Sequence, residues 1–287
     1  MGAADVVPGV SGGTIAFISG IYEELIASIN NLRPSLISTL KNEAFKTFWQ
    51  QANGGFLAAL FSGIFISLFS LATIVSWLLE NEPILLWSFF FGLVSASVFF
   101  VGKEIQKWSP LTIGALILGA AVAFFITTLP PNENVTSLPF LFLSGALAVC
   151  AMILPGISGA FILVLLGSYK TILEAVHERD FKIVLTVGFG AIFGLLSFAR
   201  LLKWMFTNYK NLTLALLTGF IIGSLNKIWP WKHVLETKTF GDKIIPIKEA
   251  SVSPFNFNGD PQIMFAVGLA ILGFSLIFIL EKAANKE

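Results

Sequence analysis

The chain has 287 residues, of which 55% are hydrophobic and only 12% charged, with a mean hydropathy of +0.83 and a net charge of +1. A soluble domain carries about a quarter charged residues, so this composition, with its 29 Phe and 7 Trp, indicates an all-α polytopic membrane protein set in a bilayer. Near-neutral charge excludes a basic nucleic-acid face; the single cysteine, Cys150, excludes an internal disulfide or a thiolate cluster, and no metal or cofactor is expected.

The first apolar segment, about 2–29, is interrupted by Pro8-Gly9-Val10-Ser11-Gly12-Gly13-Thr14. Met1 opens almost directly onto this motif with no signal-peptide pattern before it, which leaves a short first helix or a start further upstream as the expectations. A polar loop around Asn30–Asn53 follows, carrying Arg33, Lys41 and Lys46. Apolar runs of bilayer-crossing length then predict spans at about 54–79, 84–102 and 109–129. A second interrupted segment, about 138–173, holds Pro155-Gly156-Ile157-Ser158-Gly159-Ala160. Spans are predicted at about 183–206, 211–229 and 261–281, with a long loop over 226–260. Trp229, Pro230 and Trp231 suit a membrane-interface belt.

The two motifs are copies. At a shift of 147 positions Pro8 falls on Pro155, Gly9 on Gly156, Ser11 on Ser158, Gly12 on Gly159, Gly20 on Gly167 and Tyr22 on Tyr169. At a shift of 127, Gly63 meets Gly190, Trp77 meets Trp204 and Gly92 meets Gly219; at 154, Gly114 meets Gly268 and Gly119 meets Gly273. The chain therefore reads as two repeats, 1–137 and 138–287, each with one broken segment and three transmembrane helices. Proline removes an amide donor and glycine admits unusual backbone angles. In lipid such a break must be buried in protein or line a wet cavity, so each motif segment is a broken span or a re-entrant hairpin. Counting Lys and Arg on each side favours re-entrant segments and inverted repeats, with Arg33, Lys41 and Lys46 on the same face as Lys103 and Lys107.

A helix that begins inside the membrane presents free N–H groups and a partial positive charge. Ser11 and Ser158 suit N-caps, and the glycines after them let an anion approach the backbone. The predicted anion contacts are Ser11, Gly12, Gly13 and Thr14 in the first copy and Ser158, Gly159 and Ala160 in the second. Arg200, inside an apolar run, is the clearest cationic addition, or else a side chain reaching the interface. Asp5 is expected to cap a helix, pair with Arg200 or bind a proton or cation; Glu23 offers a second coupling carboxylate. His177 and His233 sit in polar stretches without partner ligands, as does Glu174-Ala-Val-His-Glu178 with its two carboxylates four apart. No pattern fixes a coupling ion or an oligomeric state.

The run Gly2-Ala-Ala-Asp-Val-Val-Pro-Gly-Val-Ser-Gly-Gly-Thr14 resembles the opening signature of the bacterial polyprenyl-phosphate transporter family. Leu154–Gly159, Ala199–Trp204 and Gly223–Lys232 are similar to further stretches of that family, so the resemblance covers nearly the whole chain. It implies translocation of undecaprenyl phosphate across the bacterial cytoplasmic membrane, returning the lipid carrier for reuse in envelope synthesis. Two alternatives stand beside it. A prenyl-pyrophosphate phosphatase would use a related Pro-Gly-x-Ser-Arg-Ser motif, but Gly12 and Gly13 take the Arg-Ser places here. A small-anion transporter is the other.

Overall fold

The computed structural model describes residues 1–5, 10–33, 36, 38–39, 45–132, 135–240 and 243–284. Pro8 and Gly9 of the first motif, and Lys41, lie outside the described residues. The chain is mostly helical. Two short helices, α1 (Gly2–Asp5) and α2 (Gly12–Ile18), flank the first motif, and α3 (Tyr22–Asn31) follows. A short helix α4 (Phe45–Gln51) lies in the first polar loop and leads into α5 (Gly54–Asn81). Next come α6 (Pro83–Lys103) and α7 (Pro110–Thr128), each opened by a proline whose missing N–H has no partner to lose in a first turn. The second motif lies between α8 (Leu138–Ile153) and α9 (Gly159–Leu165), followed by α10 (Tyr169–His177).

The spans predicted at 183–206 and 211–229 are both present, as two helices that meet at a kink and are labelled together α11 (Phe181–Ser224). Only Tyr209, at φ −139° and ψ 47°, leaves helical geometry, and a 3-10 turn (Leu225–Ile228) follows the helix end. The polar residues Asn208, Lys210 and Asn211 surround the kink at which one helix gives way to the next. The last helix is α12 (Ile263–Ala284). Gly54–Asn81, Pro83–Lys103, Pro110–Thr128 and Phe181–Ile228 are each long and apolar enough to cross a membrane, and α8 and α12 are shorter apolar helices. With large exposed side chains such as Phe65, Phe69, Phe125, Phe193 and Ile271 coating them, these helices make a multi-pass membrane protein whose apolar surface faces lipid.

Helices of one half pack on helices of the other, and they do so twice in the same way. The Gly92 backbone lies against the Ala270 carbonyl, and Gly273 against the Phe89 carbonyl, where α6 meets α12. Gly219 lies against the Leu116 carbonyl, and Gly119 against the Leu216 carbonyl, where α11 meets α7. The shifts of 127 and 154 carry each member of the first set onto a member of the second. A Cβ at any of these four glycines would overlap the facing carbonyl, so the recurring small residues permit backbone contact. Along α6, Trp87 meets Lys232, Phe91 meets Trp229, and the amide just past its end, Gln106, donates to Asn211.

The long loop predicted over 226–260 contains a β-hairpin, β1 (Lys232–Phe240) paired antiparallel with β2 (Lys243–Ser251). Trp229 and Trp231 anchor it. Their indole N–H groups donate to the Val252 and Pro261 carbonyls, both at 2.9 Å, and Trp231 is buried. A buried indole needs such a partner, and for Trp231 the segment that leads into α12 supplies it.

Candidate functional site

The two interruptions meet. Ser11 is extended (φ −115°, ψ 136°) and caps α2, its hydroxyl accepting from the Gly13 amide at 3.0 Å. The same hydroxyl donates to the Met152 carbonyl at 2.9 Å, across to the end of α8. Three residues on, the Thr14 hydroxyl accepts from the Gly156 amide at 2.9 Å. Gly13 lies directly against the Ile153 carbonyl, and Gly156, at φ +91°, against the Ser224 hydroxyl. Both positions leave no room for a side chain. Ser11, Thr14, Ser158 and Ser224 are all buried.

Both copies turn back the same way. Gly20 at φ +72° and Gly167 at φ +71° occupy equivalent places. The Ile21 amide donates to Ala16 and the Gly20 amide to Phe17; the Ser168 amide donates to Leu163 and the Gly167 amide to Val164. At Gly167 the chain bends 107° between α9 and α10. Leu165 and Gly167 accept from the amides of Asn132 and Val135, so the segment that enters at α8 returns beside its own entrance.

The copies differ in how their amides are used. In the first, the Asp5 carboxylate accepts from Gly12 at 2.7 Å, Ser11 takes the Gly13 amide, and the Ser11 carbonyl takes that of Thr14 at 3.0 Å. Asp5 thus caps α2, one of the roles expected of it. At the equivalent place stands Met152, whose side chain packs on Gly159 and is half-exposed. Ser158 holds the N-cap position of α9 in extended geometry without a side-chain cap bond. Among the described residues no acceptor meets the amides of Gly159 and Ala160.

The other charged residues lie elsewhere. Arg200 is exposed on the outer stripe of α11 with Phe193 and Trp204, and no ion pair among the described residues links it to Asp5. Glu23 pairs with Lys210 at 2.7 Å in an exposed position, beside a recess of about 180 Å³ that Lys203 and Phe206 also line. His177 and Glu174 belong to α10, where Lys170 pairs with Glu174 at 3.5 Å, and His233 belongs to β1.

A feature the sequence did not suggest lies beside the second copy. A recess of about 330 Å³ opens between the end of α7, α9 and the β-hairpin. Glu249 accepts from Lys227 at 2.9 Å, and Lys232 lies 3.7 Å from the same oxygen. Burial holds the Lys232 ammonium down to about 8, against the pull of Glu249 and with Lys227 adding to it. Burial works to raise Glu249, but Lys232 and Lys227 outweigh it and keep its carboxyl below the ordinary range.

Residues 1–243 match the family described as Undecaprenyl phosphate translocase-like. The chain belongs to this family. A polyprenyl-phosphate transporter of Vibrio cholerae is 44% identical over 292 aligned residues, covering 100% of this chain and 94% of that protein. A polyprenyl-phosphate transporter of Staphylococcus aureus is 33% identical over 248 residues, covering 80% of this chain and 83% of its own. No solved structure matches. The translocase-like family match spans both motifs and ends within the β-hairpin, so the duplicated breaks, Lys227 and Lys232 fall inside it.

Proposed function

We propose that this chain carries polyprenyl phosphate, undecaprenyl phosphate in particular, across the bacterial cytoplasmic membrane, and that the phosphate head passes where the two interruptions meet. The observation that carries the reading is the contact of Ser11 with Met152 and of Thr14 with Gly156, in a member of this family. The helix directions support a reading as inverted repeats. Along α6, residues 87, 91 and 106 meet 232, 229 and 211, so α6 runs antiparallel to its own repeat counterpart in α11. The second interrupted segment enters and leaves on the side of Asn132 and Val135, while the Glu23 end of the first lies beside Lys210. Two re-entrant segments from opposite faces, touching at mid-depth, suit alternating exposure of one site.

The head is held, in this reading, by the Ser158, Gly159 and Ala160 side of the contact, with Ser11, Gly12, Gly13 and Thr14 as the facing wall. Magnitudes set a further requirement. A bare ion in a low-dielectric interior costs tens of kcal/mol, whereas a helix terminus returns only about 0.3–2 kcal/mol. Water and a basic side chain must share the load, while the prenyl tail stays in lipid. Reconstitution tests this. Vesicles holding the purified chain should move a fluorescent prenyl phosphate between leaflets and release no inorganic phosphate from a prenyl pyrophosphate. Phosphate release without lipid movement would mark an enzyme instead, and movement of free phosphate alone would mark a small-anion transporter.

A further inference from the structure

We propose that the recess beside α9 is a separate anion site, which takes a phosphate monoester or free phosphate in exchange for Glu249 as the partner of Lys227 and Lys232. Only the assignment of a lipid head as its source rests on the transport reading; the anion chemistry does not.

Charge is the first argument. Two ammonium groups share one carboxylate oxygen, so the recess keeps one unmatched positive charge. The sharing is unequal. Lys227 bonds Glu249 at 2.9 Å, while Lys232 stands back at 3.7 Å and gives a hydrogen bond to the Lys227 carbonyl at 2.7 Å. A dianionic phosphate offers several oxygens and can satisfy both lysines at once, which a single shared oxygen does not. The volume of about 330 Å³ holds such a head with water around it, since one water takes about 30 Å³.

Preorganisation is the second. Lys227 lies over the Phe161 ring at 5.2 Å and Lys232 over the Trp87 ring at 4.3 Å. Both stems are packed and both heads are aimed, so little side-chain freedom remains to be lost on binding. The third argument is place. Thr128 and Leu129, at the end of α7, form one wall, which sets the recess at the boundary of an apolar span. Phe161 forms another and directly follows Ala160 of the second motif. A head captured here sits against α9, the helix whose leading amides belong to the second motif, while its tail remains in the bilayer. The plain alternative is that Lys227–Glu249 only pins the hairpin to the 3-10 turn.

The two readings part at Glu249→Gln. The full chain in lipid nanodiscs is titrated with farnesyl phosphate and with inorganic phosphate, and binding is read by calorimetry. Removing the competing carboxylate should tighten binding about tenfold, and Lys227→Gln or Lys232→Gln should weaken it about tenfold, as expected for loss of one charge-assisted bond. Tighter binding of farnesyl phosphate than of inorganic phosphate identifies a lipid head as the ligand; equal binding identifies the free ion. Unchanged or weaker binding in a folded Glu249→Gln protein overturns the proposal, and that arm decides alone if the lysine variants do not fold. Unaltered binding in variants of a chain that still moves prenyl phosphate in vesicles sinks this site and spares the transport reading. Tighter phosphate binding by Glu249→Gln in a chain that moves no lipid does the reverse.

Discussion

The two copies of the motif share a backbone and differ in chemistry. Both turn at a glycine with φ near +70°, both repeat the same turn hydrogen bonds, and both place a serine before a seven-residue helix. Yet the first copy is closed: Asp5 and Ser11 take the leading amides. The second has Met152 where the first has Asp5, and its leading amides meet no acceptor among the described residues. The same backbone geometry thus occurs twice, and the position held by Asp5 in one copy and Met152 in the other separates capped amides from uncapped ones.

The hardest blow to this pair is steric. Gly156→Val puts a branched side chain at φ +91° and into Ser224, and should destabilise the chain by about 3 kcal/mol or more, read as a lowered Tm and lost transport. Next is Met152→Asp, which gives the second copy the cap of the first. A carboxylate beside the Gly159 amide should repel a phosphate head and cut prenyl phosphate transport at least about tenfold with the fold intact; wild-type transport would dissolve the distinction between open and closed copies. Cap removal should show the same asymmetry more gently. Ser11→Ala should lower stability by about 1 kcal/mol, as loss of a capping hydroxyl does, and Ser158→Ala, with no cap bond to lose, by clearly less; thermal unfolding of both compares them.

The smallest effect concerns pH. Lys232 is held down to about 8 from an ordinary 10.5, chiefly by burial. The unfolded chain therefore binds more protons than the folded one between those values, so this group's contribution to stability rises with pH across that window. Anion binding in the neighbouring recess should fall over the same rise, as the ammonium is lost. Phosphate titrations on either side of pH 8 check the second trend, and unfolding midpoints the first.

Much of the architecture was legible because it depends on absent side chains. Gly92, Gly219, Gly119 and Gly273 repeat in sequence because two helix contacts need bare backbone, and Gly20 and Gly167 because two turns need a left-handed residue. What escaped was the choice of partners. Asp5 and Met152 stand at equivalent places, but only folding shows which amide each one reaches. Lys227 and Glu249 are brought together by a hairpin that hydropathy reads as a polar loop. The break at Tyr209 is legible from Asn208, Lys210 and Asn211, which interrupt the apolar run, although the two helices meet there across a kink with no loop between them. Arg200 is a charge in an apolar stretch, and sequence alone does not separate the inner face of α11 from the outer stripe on which it lies.

The most direct measurement is a structure of the transport-competent chain with a prenyl phosphate bound. The account predicts phosphate density within hydrogen-bond reach of the Gly159 and Ala160 amides, facing Ser11–Thr14, in at least one occupied state. Occupied states that all keep the head away from both interruptions, with Ser11 still joined to Met152 and Thr14 to Gly156, would contradict it.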